Sequence, residues 1–250
     1  ITPIFLKGTG NLLEGLYADV AERMLGDIYF IVSKEDFQKA VLLLKKDKYT
    51  EIERKLPDFF RHYSSLGKEH RLAAVEVHKE LLDIKYSSKF NYSHIKSNLT
   101  KIKAISVLGY LDQFHFNILV HQMNDSGWFY STISLRKAYD VFLLSKKIDV
   151  MYYINNLKVF NKQVNTFIAL SNQLLHTKIY YKNTKQTEKY TIHFLKTLNT
   201  SKKQKIKYKV KKLYLIYSYK VNLLFKALYK KEYSSWFVFK LKEKVLRLKD

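Results

Sequence analysis

Residues 28–32, IYFIV, most constrain the fold of this chain, because all five are β-branched or aromatic. Such a run predicts a buried strand. Ser33 follows as a candidate N-cap, and Phe37 and Leu44 then share one stripe of a helix that ends near residue 48. A buried strand followed directly by an amphipathic helix predicts a mixed α/β region near the start of the chain.

A second strand signal follows this helix. Residues 59–64 and 72–82 flank the turn-rich segment SLGKE, so we expect an antiparallel hairpin. Side chains alternate between the two faces of a strand, which turns Glu76 and His78 to the same face. The pattern therefore predicts an acid and an imidazole side by side.

The chain has a helical texture after residue 94. Residues 102–123 contain no turn dipeptide, and residues 132–148 show an apolar stripe at helical spacing. Two further helical regions are predicted at 150–175 and 205–250, separated by the polar stretch 181–204.

These patterns together predict an α+β protein. A small mixed-sheet head is expected in residues 1–92 and an α-helical region with a basic C-terminal segment in residues 93–250. Because the chain starts at Ile1 rather than Met, we expect the head to lack residues at its N-terminus.

Composition excludes several classes of protein. The chain has no cysteine, so disulfides and thiolate metal sites are excluded. It contains no Walker-type glycine–lysine loop, no G-x-S-x-G elbow and no G-x-G-x-x-G after a strand, so P-loop, hydrolase and Rossmann sites are not expected. No run of eighteen apolar residues is present, so we expect a cytoplasmic protein without a membrane partner.

Four segments carry a family resemblance: LKGTGNLLEGLY, AERMLGDIYFIV, VEVHKELL and LRKAYDVFLL, in this order. Their succession resembles the uncharacterised nucleotidyltransferase family of the DNA polymerase β-like superfamily. Members of that family show an LKG turn, a Gly-Asp-Ile-Asp strand and an acid-plus-His strand. The resemblance covers residues 4 to about 145.

The resemblance implies transfer of a nucleoside monophosphate from a nucleoside triphosphate to an unknown acceptor, with Mg²⁺ or Mn²⁺. Asp27 and Glu76 match the first and third carboxylates, and are the candidate catalytic and metal-binding residues. The candidate nucleotide-binding turn is Lys7, Gly8, Thr9 and Gly10.

Tyr29 stands where the family pattern has its second acid, and His78 is the other candidate accessory residue. A phenol with a pKa near 10 is a poor Mg²⁺ ligand at neutral pH. The sequence therefore leaves open whether the protein is a working enzyme, expected to bind metal weakly, or a degenerate member that has lost the transfer reaction.

Each candidate residue also has a purely structural interpretation. In these alternatives His78 is a hydrogen-bonded structural histidine, and the remaining acids are held in ion pairs: Asp27 with Arg23, Glu76 with Lys79 or Arg71, and Asp140 with Arg136.

The alternative function is nucleic-acid binding by the basic C-terminal segment. The formal net charge is +23, and residues 201–250 hold sixteen Lys or Arg against three Asp or Glu. Lysines there alternate with tyrosines, a mixture that combines phosphate neutralisation with base stacking. RNA or another polyanion is therefore a candidate partner of this segment. A lysine-rich composition throughout the chain, with a solvated basic face, explains the same charge without any partner.

Overall fold

The computed structural model describes residues 1–52, 56–198 and 201–246, with side chains described up to residue 240. The chain divides into two compact units. The first comprises residues 1–55 and 61–196, and the second comprises residues 56–60 and 197–250.

The described strands of the first unit form one mixed sheet of seven strands. In chain order these are β1 (Ile4–Phe5), β2 (Asp27–Ile31), β3 (Thr50–Glu51), β4 (Leu66–Gly67), β5 (Ala74–His78), β6 (Leu99–Ile102) and β7 (Ile105–Leu108). Their order across the sheet is β3-β4-β5-β2-β1-β7-β6. Strand β2 is parallel to β5 and β1 is parallel to β7, whereas the other neighbours are antiparallel. The strand predicted at residues 28–32 is confirmed as β2, in the centre of the sheet.

Twelve α-helices are found in the described residues. They are α1 (Lys7–Leu13), α2 (Phe37–Lys46), α3 (Ile84–Ser87), α4 (Tyr92–Lys96), α5 (Tyr110–Leu119), α6 (Gly127–Tyr130), α7 (Leu135–Ser145), α8 (Val150–Asn156), α9 (Asn161–Leu175), α10 (Lys185–Leu198), α11 (Lys202–Tyr229) and α12 (Lys231–Leu246). The helices predicted at 33–48 and 132–148 are confirmed as α2 and α7. The predicted N-cap of the first is wrong, because α2 begins at Phe37 after Asp36 and not after Ser33.

The main core lies where α5, α7 and α9 pack together against the sheet. Phe114, Phe116 and Phe167 are fully buried there. Burial of three phenylalanine side chains is a large apolar contribution, about 1.5–3 kcal/mol each by transfer scales. The predicted α+β class, a small mixed-sheet head followed by a helical body, is confirmed.

The helix predicted over residues 102–123 is wrong in its first part. Residues 99–108 form the β6–β7 hairpin, and α5 begins only at Tyr110. Lys103 adopts a positive φ of 55° at the turn. Gly or Asn usually occupies such a position, so the lysine gives no sequence signal for a turn. Pairing of β7 with β1, with Val107 opposite Phe5, decides between strand and helix here. That pairing spans about a hundred residues and is invisible to a local pattern.

The hairpin predicted at 59–64 and 72–82 is only partly correct. Its second strand is confirmed as β5, but its partner β4 lies within SLGKE, which we expected to be the turn. In the predicted first strand the link to the sheet is an isolated bridge from His62 to His78. Short strands of two residues carry too little periodicity to locate from sequence.

Two strands, β6 and β7, follow residue 92 and belong to the same sheet as β2. The residues that form the sheet therefore extend beyond residue 92. The assignment of residues 1–92 as a separate domain stays a prediction. The polar stretch 181–204, expected to separate helices, contains helix α10.

The second unit consists chiefly of α11 and α12, which pack against each other. Phe59 stacks on Tyr233 with ring centroids 3.9 Å apart, which joins residues 56–60 to α12. No side chain of α11 is buried. Over the part of the chain that the structure describes, no helix combines the length and apolar character needed to cross a membrane.

Candidate active site

Parallel strands β2 and β5 bring four of the predicted site residues to one face of the sheet. Tyr29 lies directly opposite Glu76, and Ile31 lies opposite His78. Because side chains alternate along each strand, Asp27 and Tyr29 share the face that carries Glu76 and His78. The predicted pairing of an acid and an imidazole on this strand is confirmed by the 3.3 Å distance between His78 Nε2 and Glu76 Oε2.

Tyr29 occupies the centre of this face. Its hydroxyl donates a hydrogen bond of 2.8 Å to Asp27 Oδ2. One oxygen of the first candidate carboxylate is therefore already hydrogen-bonded. Lys7 Nζ lies 3.7 Å from the centroid of the ring, which is a cation–π interaction. Burial, followed by the hydrogen bond to Asp27, raises the pKa of Tyr29 well above its ordinary value. Tyr29 is therefore a neutral donor and not an anionic ligand.

Glu76 has hydrogen bonds with Ser65 and His78 and lies near a second histidine, His62, whose Nδ1 contacts the Tyr63 carbonyl oxygen at 2.7 Å. Ser65 Oγ donates to Oε1 at 3.2 Å, while His78 Nε2 and His62 Nδ1 lie 3.3 and 3.8 Å from Oε2. Burial alone would raise the pKa of Glu76, but the hydrogen bond from His78 and the electrostatic influence of His62, His78 and Lys7 lower it to about 2. Glu76 is therefore ionised at neutral pH.

His78 is fully buried, and burial lowers its pKa to about 3 against the opposing effect of Glu76. The ring is therefore neutral at pH 7, with Nε2–H donating to the Glu76 carboxylate. His62, which the sequence patterns did not select, lies near it with ring centroids 4.9 Å apart. The structure thus gives His78 a positioning hydrogen bond to Glu76, in agreement with its structural interpretation.

The glycine turn lies beside this face, and it is the first turn of α1 rather than a loop before a helix. Lys7 has a left-handed φ of 53°, which reverses the chain after Leu6. Gly10 approaches the β1 backbone so closely that a Cβ would lie 2.9 Å from the Phe5 carbonyl oxygen. Thr9 is buried, and its hydroxyl faces the Tyr29 backbone N–H at 3.4 Å.

Lys7 supplies positive charge at this turn. It forms no ion pair among the described residues, although Glu76 and Asp125 act on it electrostatically. Burial lowers its pKa to about 8, and the charges of Lys137 and Arg61 act in the same direction. A partly buried cation without a paired carboxylate favours binding of an anion.

A network that the sequence patterns missed adjoins the turn. Asp140 on α7 is fully buried and pairs with Arg23, with 3.5 Å between Nε and Oδ2. Tyr17 donates to its other oxygen, Oδ1, at 2.8 Å. The alternatives that pair Asp27 with Arg23, or Asp140 with Arg136, are therefore wrong. The segment LRKAYD suggested a local i, i+4 pair, but the true partner of Asp140 comes from a distant part of the chain.

Helix α7 places a second cation near the same face. Lys137 pairs with Asp125, and burial lowers the pKa of Lys137 against the attraction of that carboxylate. Lys137 is also the strongest charge acting on Lys7. The region around the turn is thus rich in cations, which suits a phosphorylated ligand.

The residues present do not fit the metal set of a polymerase-type site. Such a site uses carboxylates to hold two cations that clamp the attacking and leaving oxygens of a transferring phosphate. Here the phenol of Tyr29 replaces one acid and caps another. Within the described ranges, no group of three His, Asp or Glu residues can hold a metal ion.

A separate cavity of about 700 Å³ opens between α6 and α10. Trp128 and Tyr190 line it and stack on each other with centroids 5.6 Å apart. It does not include the β2–β5 face, so the predicted site residues do not contribute to it.

The fold and this site define a nucleotidyltransferase-like α+β head, in which an acid from each of two adjacent strands lies beside a glycine turn. Residues 1–173 match the family described as "Uncharacterised nucleotidyltransferase", and the chain belongs to that family. Searches of curated proteins and of solved structures gave no significant match. Membership supports a general nucleotidyltransferase function.

Proposed function

We propose that the protein binds a nucleoside triphosphate on the β2–β5 face and that its Mg²⁺-dependent transfer activity is weak or lost. The observation that carries this proposal is the hydrogen bond from Tyr29 to Asp27. A neutral phenol takes the place of the second acid and occupies an oxygen of the first.

The features that favour nucleotide binding do not depend on a metal ion. Lys7 and the glycines of α1 form a compact turn beside the candidate acids, and Lys137 adds positive charge. Asp27 and Glu76 remain as the candidate catalytic acids. Together they are one acid short of the family set, so Mg²⁺ or Mn²⁺ is expected to bind weakly there.

The size of the loss favours weak activity over efficient activity. Metal ions contribute several kcal/mol of charge stabilisation to a phosphoryl transition state, and about 1.4 kcal/mol is a factor of ten in rate. An enzyme without one of three metal-binding carboxylates is therefore expected to be slower by several orders of magnitude. The acceptor of the nucleotidyl group is not defined by these residues.

Calorimetric titration of the full chain with non-hydrolysable ATP, GTP, CTP and UTP analogues tests this function. We expect at least one analogue to bind without added metal, because protein cations bind the phosphates, and we expect Mg²⁺ or Mn²⁺ to strengthen binding only modestly. Failure of all four to bind, with or without metal, would contradict the nucleotide site.

A second candidate function is binding of single-stranded RNA by α11. This helix carries nine lysines and no acid over 28 residues, and none of its side chains is buried. Its exposed tyrosines include Tyr208, Tyr214 and Tyr217. Fluorescence anisotropy with a labelled single-stranded RNA over a salt series measures this binding; each neutralised phosphate should contribute about 0.7 to the slope of log K against log salt. A slope near zero would exclude the interaction.

A further inference from the structure

Arg23 lies directly beside the glycine turn, although the sequence offered it only as an ion-pair partner of Asp27. A Cβ built on Gly8 would lie 2.7 Å from Arg23 Nη2 and 2.9 Å from Cζ. The guanidinium group therefore occupies space that a side chain at residue 8 would fill. Only 11% of the Arg23 side chain is exposed, so its position is fixed by packing.

The other atoms of this guanidinium are held by the protein. Nε lies 3.5 Å from Asp140 Oδ2, and Nη1 donates to the Met24 carbonyl oxygen at 3.0 Å. Asp140 is itself fixed by Tyr17, whose hydroxyl accepts from Asn11 Nδ2 at 3.1 Å. The contact between Arg23 and Asp140 is an ion pair without hydrogen-bond geometry. Together with the hydrogen bonds of Tyr17 it runs from α7 to α1 and positions the guanidinium group.

The remaining nitrogen, Nη2, has no hydrogen-bond partner among the described residues, and it is the nitrogen nearest to Gly8. Lys7, the residue before Gly8, is the second cation at the turn and, unlike Arg23, forms no ion pair in the described part of the chain. A fixed guanidinium N–H at the same glycine turn that carries Lys7 matches the oxygens of a phosphate chain.

We propose that Arg23 binds the polyphosphate chain of the ligand through Nη2, beside Lys7 at the glycine turn, and that Asp140 is a positioning residue that directs Arg23. This inference rests on the proposed nucleotide site and deepens it, since it assigns phosphate binding to a buried arginine. The ligand class is a tri- or polyphosphate. The nucleoside is not recognised by Arg23.

The test is calorimetric titration of the wild type and of Arg23→Gln with ATP, ADP, AMP, adenosine and inorganic tripolyphosphate. We expect Arg23→Gln to weaken ATP and tripolyphosphate by at least about tenfold, because a hydrogen bond to a charged group is removed. AMP should be weakened less, and any affinity for adenosine should not change. Arg136→Gln is the matched control: it removes one exposed arginine from the helix that carries Asp140, and should change no affinity.

Removal of the arginine leaves Asp140 buried without its cation, and that change can destabilise the fold. Arg23→Lys keeps a positive charge at this position but lacks the planar guanidinium. Each variant is first compared with the wild type by thermal unfolding. If Arg23→Gln does not fold, Arg23→Lys should still weaken tripolyphosphate and ATP selectively, at a melting temperature close to that of the wild type.

The role of Asp140 is tested through its dependence on Arg23. Asp140→Asn should reduce the ratio of ATP affinity to AMP affinity in the wild-type background, and should have little further effect on that ratio in Arg23→Gln. A merely structural role would lower the affinity for all ligands and would act equally in both backgrounds.

The outcomes separate this inference from the proposed function. If the wild type binds ATP and neither arginine variant weakens it, the inference is wrong and the nucleotide site stands. If tripolyphosphate binds in an Arg23-dependent manner and no nucleotide binds, the nucleotide site is wrong and phosphate binding by Arg23 stands. If the wild type binds neither ligand, both are wrong.

Discussion

Tyr29 decides the chemistry of this site more than any other residue. A carboxylate at its position would face Glu76 across the two parallel strands, where two acids and a neighbouring Asp27 could share a cation. The phenol instead donates to Asp27 and receives Lys7 on its ring. The phenol thus replaces a negative charge on this face with a neutral hydrogen-bond donor that also contacts a cation.

Lys7 gives this account a pH dependence. Its pKa of about 8 lies below the ordinary 10.5, mainly because of burial and secondarily because of Lys137 and Arg61. The ammonium form attracts a triphosphate, so the affinity for ATP should fall as the pH rises from about 7 to about 9.5, through this pKa. Binding near pH 8–9 should also take up protons, because the bound anion raises the pKa of Lys7.

Titrations in buffers of different ionisation enthalpy measure this proton uptake directly. Lys7→Met should bind ATP more weakly and should lose the additional fall in affinity above about pH 8. Lys39→Met, at an exposed lysine of α2, is the control and should retain it. An ATP affinity that stays constant over the same pH range in the wild type would remove Lys7 from the site.

At the level of secondary-structure elements, sequence patterns are most informative where an element is long or its neighbours are close in the chain. The strand β2 and the helices α2 and α7 follow from residue type and apolar spacing. The hairpin β6–β7 does not, since its identity depends on pairing with β1 about a hundred residues away. The helix or strand propensity of a segment predicts its secondary structure only weakly, and such distant pairings override it.

The same distinction holds for the candidate site. Strand alternation predicts that Glu76 and His78 share a face, and the structure confirms it and adds Asp27 from the neighbouring strand. Arg23 was assigned to the wrong partner because Asp140 comes from a helix far along the chain. Local spacing predicts which face a residue occupies, but not which distant residue meets it.

Helix α11 carries a prediction of its own. Replacement of Lys203, Lys205, Lys207 and Lys209 by Gln should weaken single-stranded RNA binding, and should lower the salt slope by about 0.7 for each phosphate that is no longer neutralised. The matched control replaces four exposed lysines of the first unit: Lys158, Lys162, Lys178 and Lys182. Equal effects of the two sets would show that binding depends on net charge alone and would contradict an α11 site.

At the scale of the whole molecule, the chain consists of a family-matched segment and a basic extension. The family match ends at residue 173, and α10, α11 and α12 follow it. The second unit, with its lysine-rich helix, therefore lies almost entirely outside the matched segment. The two candidate functions, nucleotide binding and RNA binding, consequently belong to different parts of the chain and can be tested independently.

The central claim is that Tyr29 disables a nucleotidyltransferase metal site in a chain that otherwise keeps the nucleotide site. The most direct measurement is titration of Mn²⁺ into the wild type and into Tyr29→Asp, each with a bound non-hydrolysable ATP analogue. The account predicts that Tyr29→Asp binds Mn²⁺ at least about tenfold more tightly, a difference of about 1.4 kcal/mol. Tyr29→Phe, which frees Asp27 without adding a charge, should fall between them. Equal Mn²⁺ affinity in all three proteins would contradict the claim.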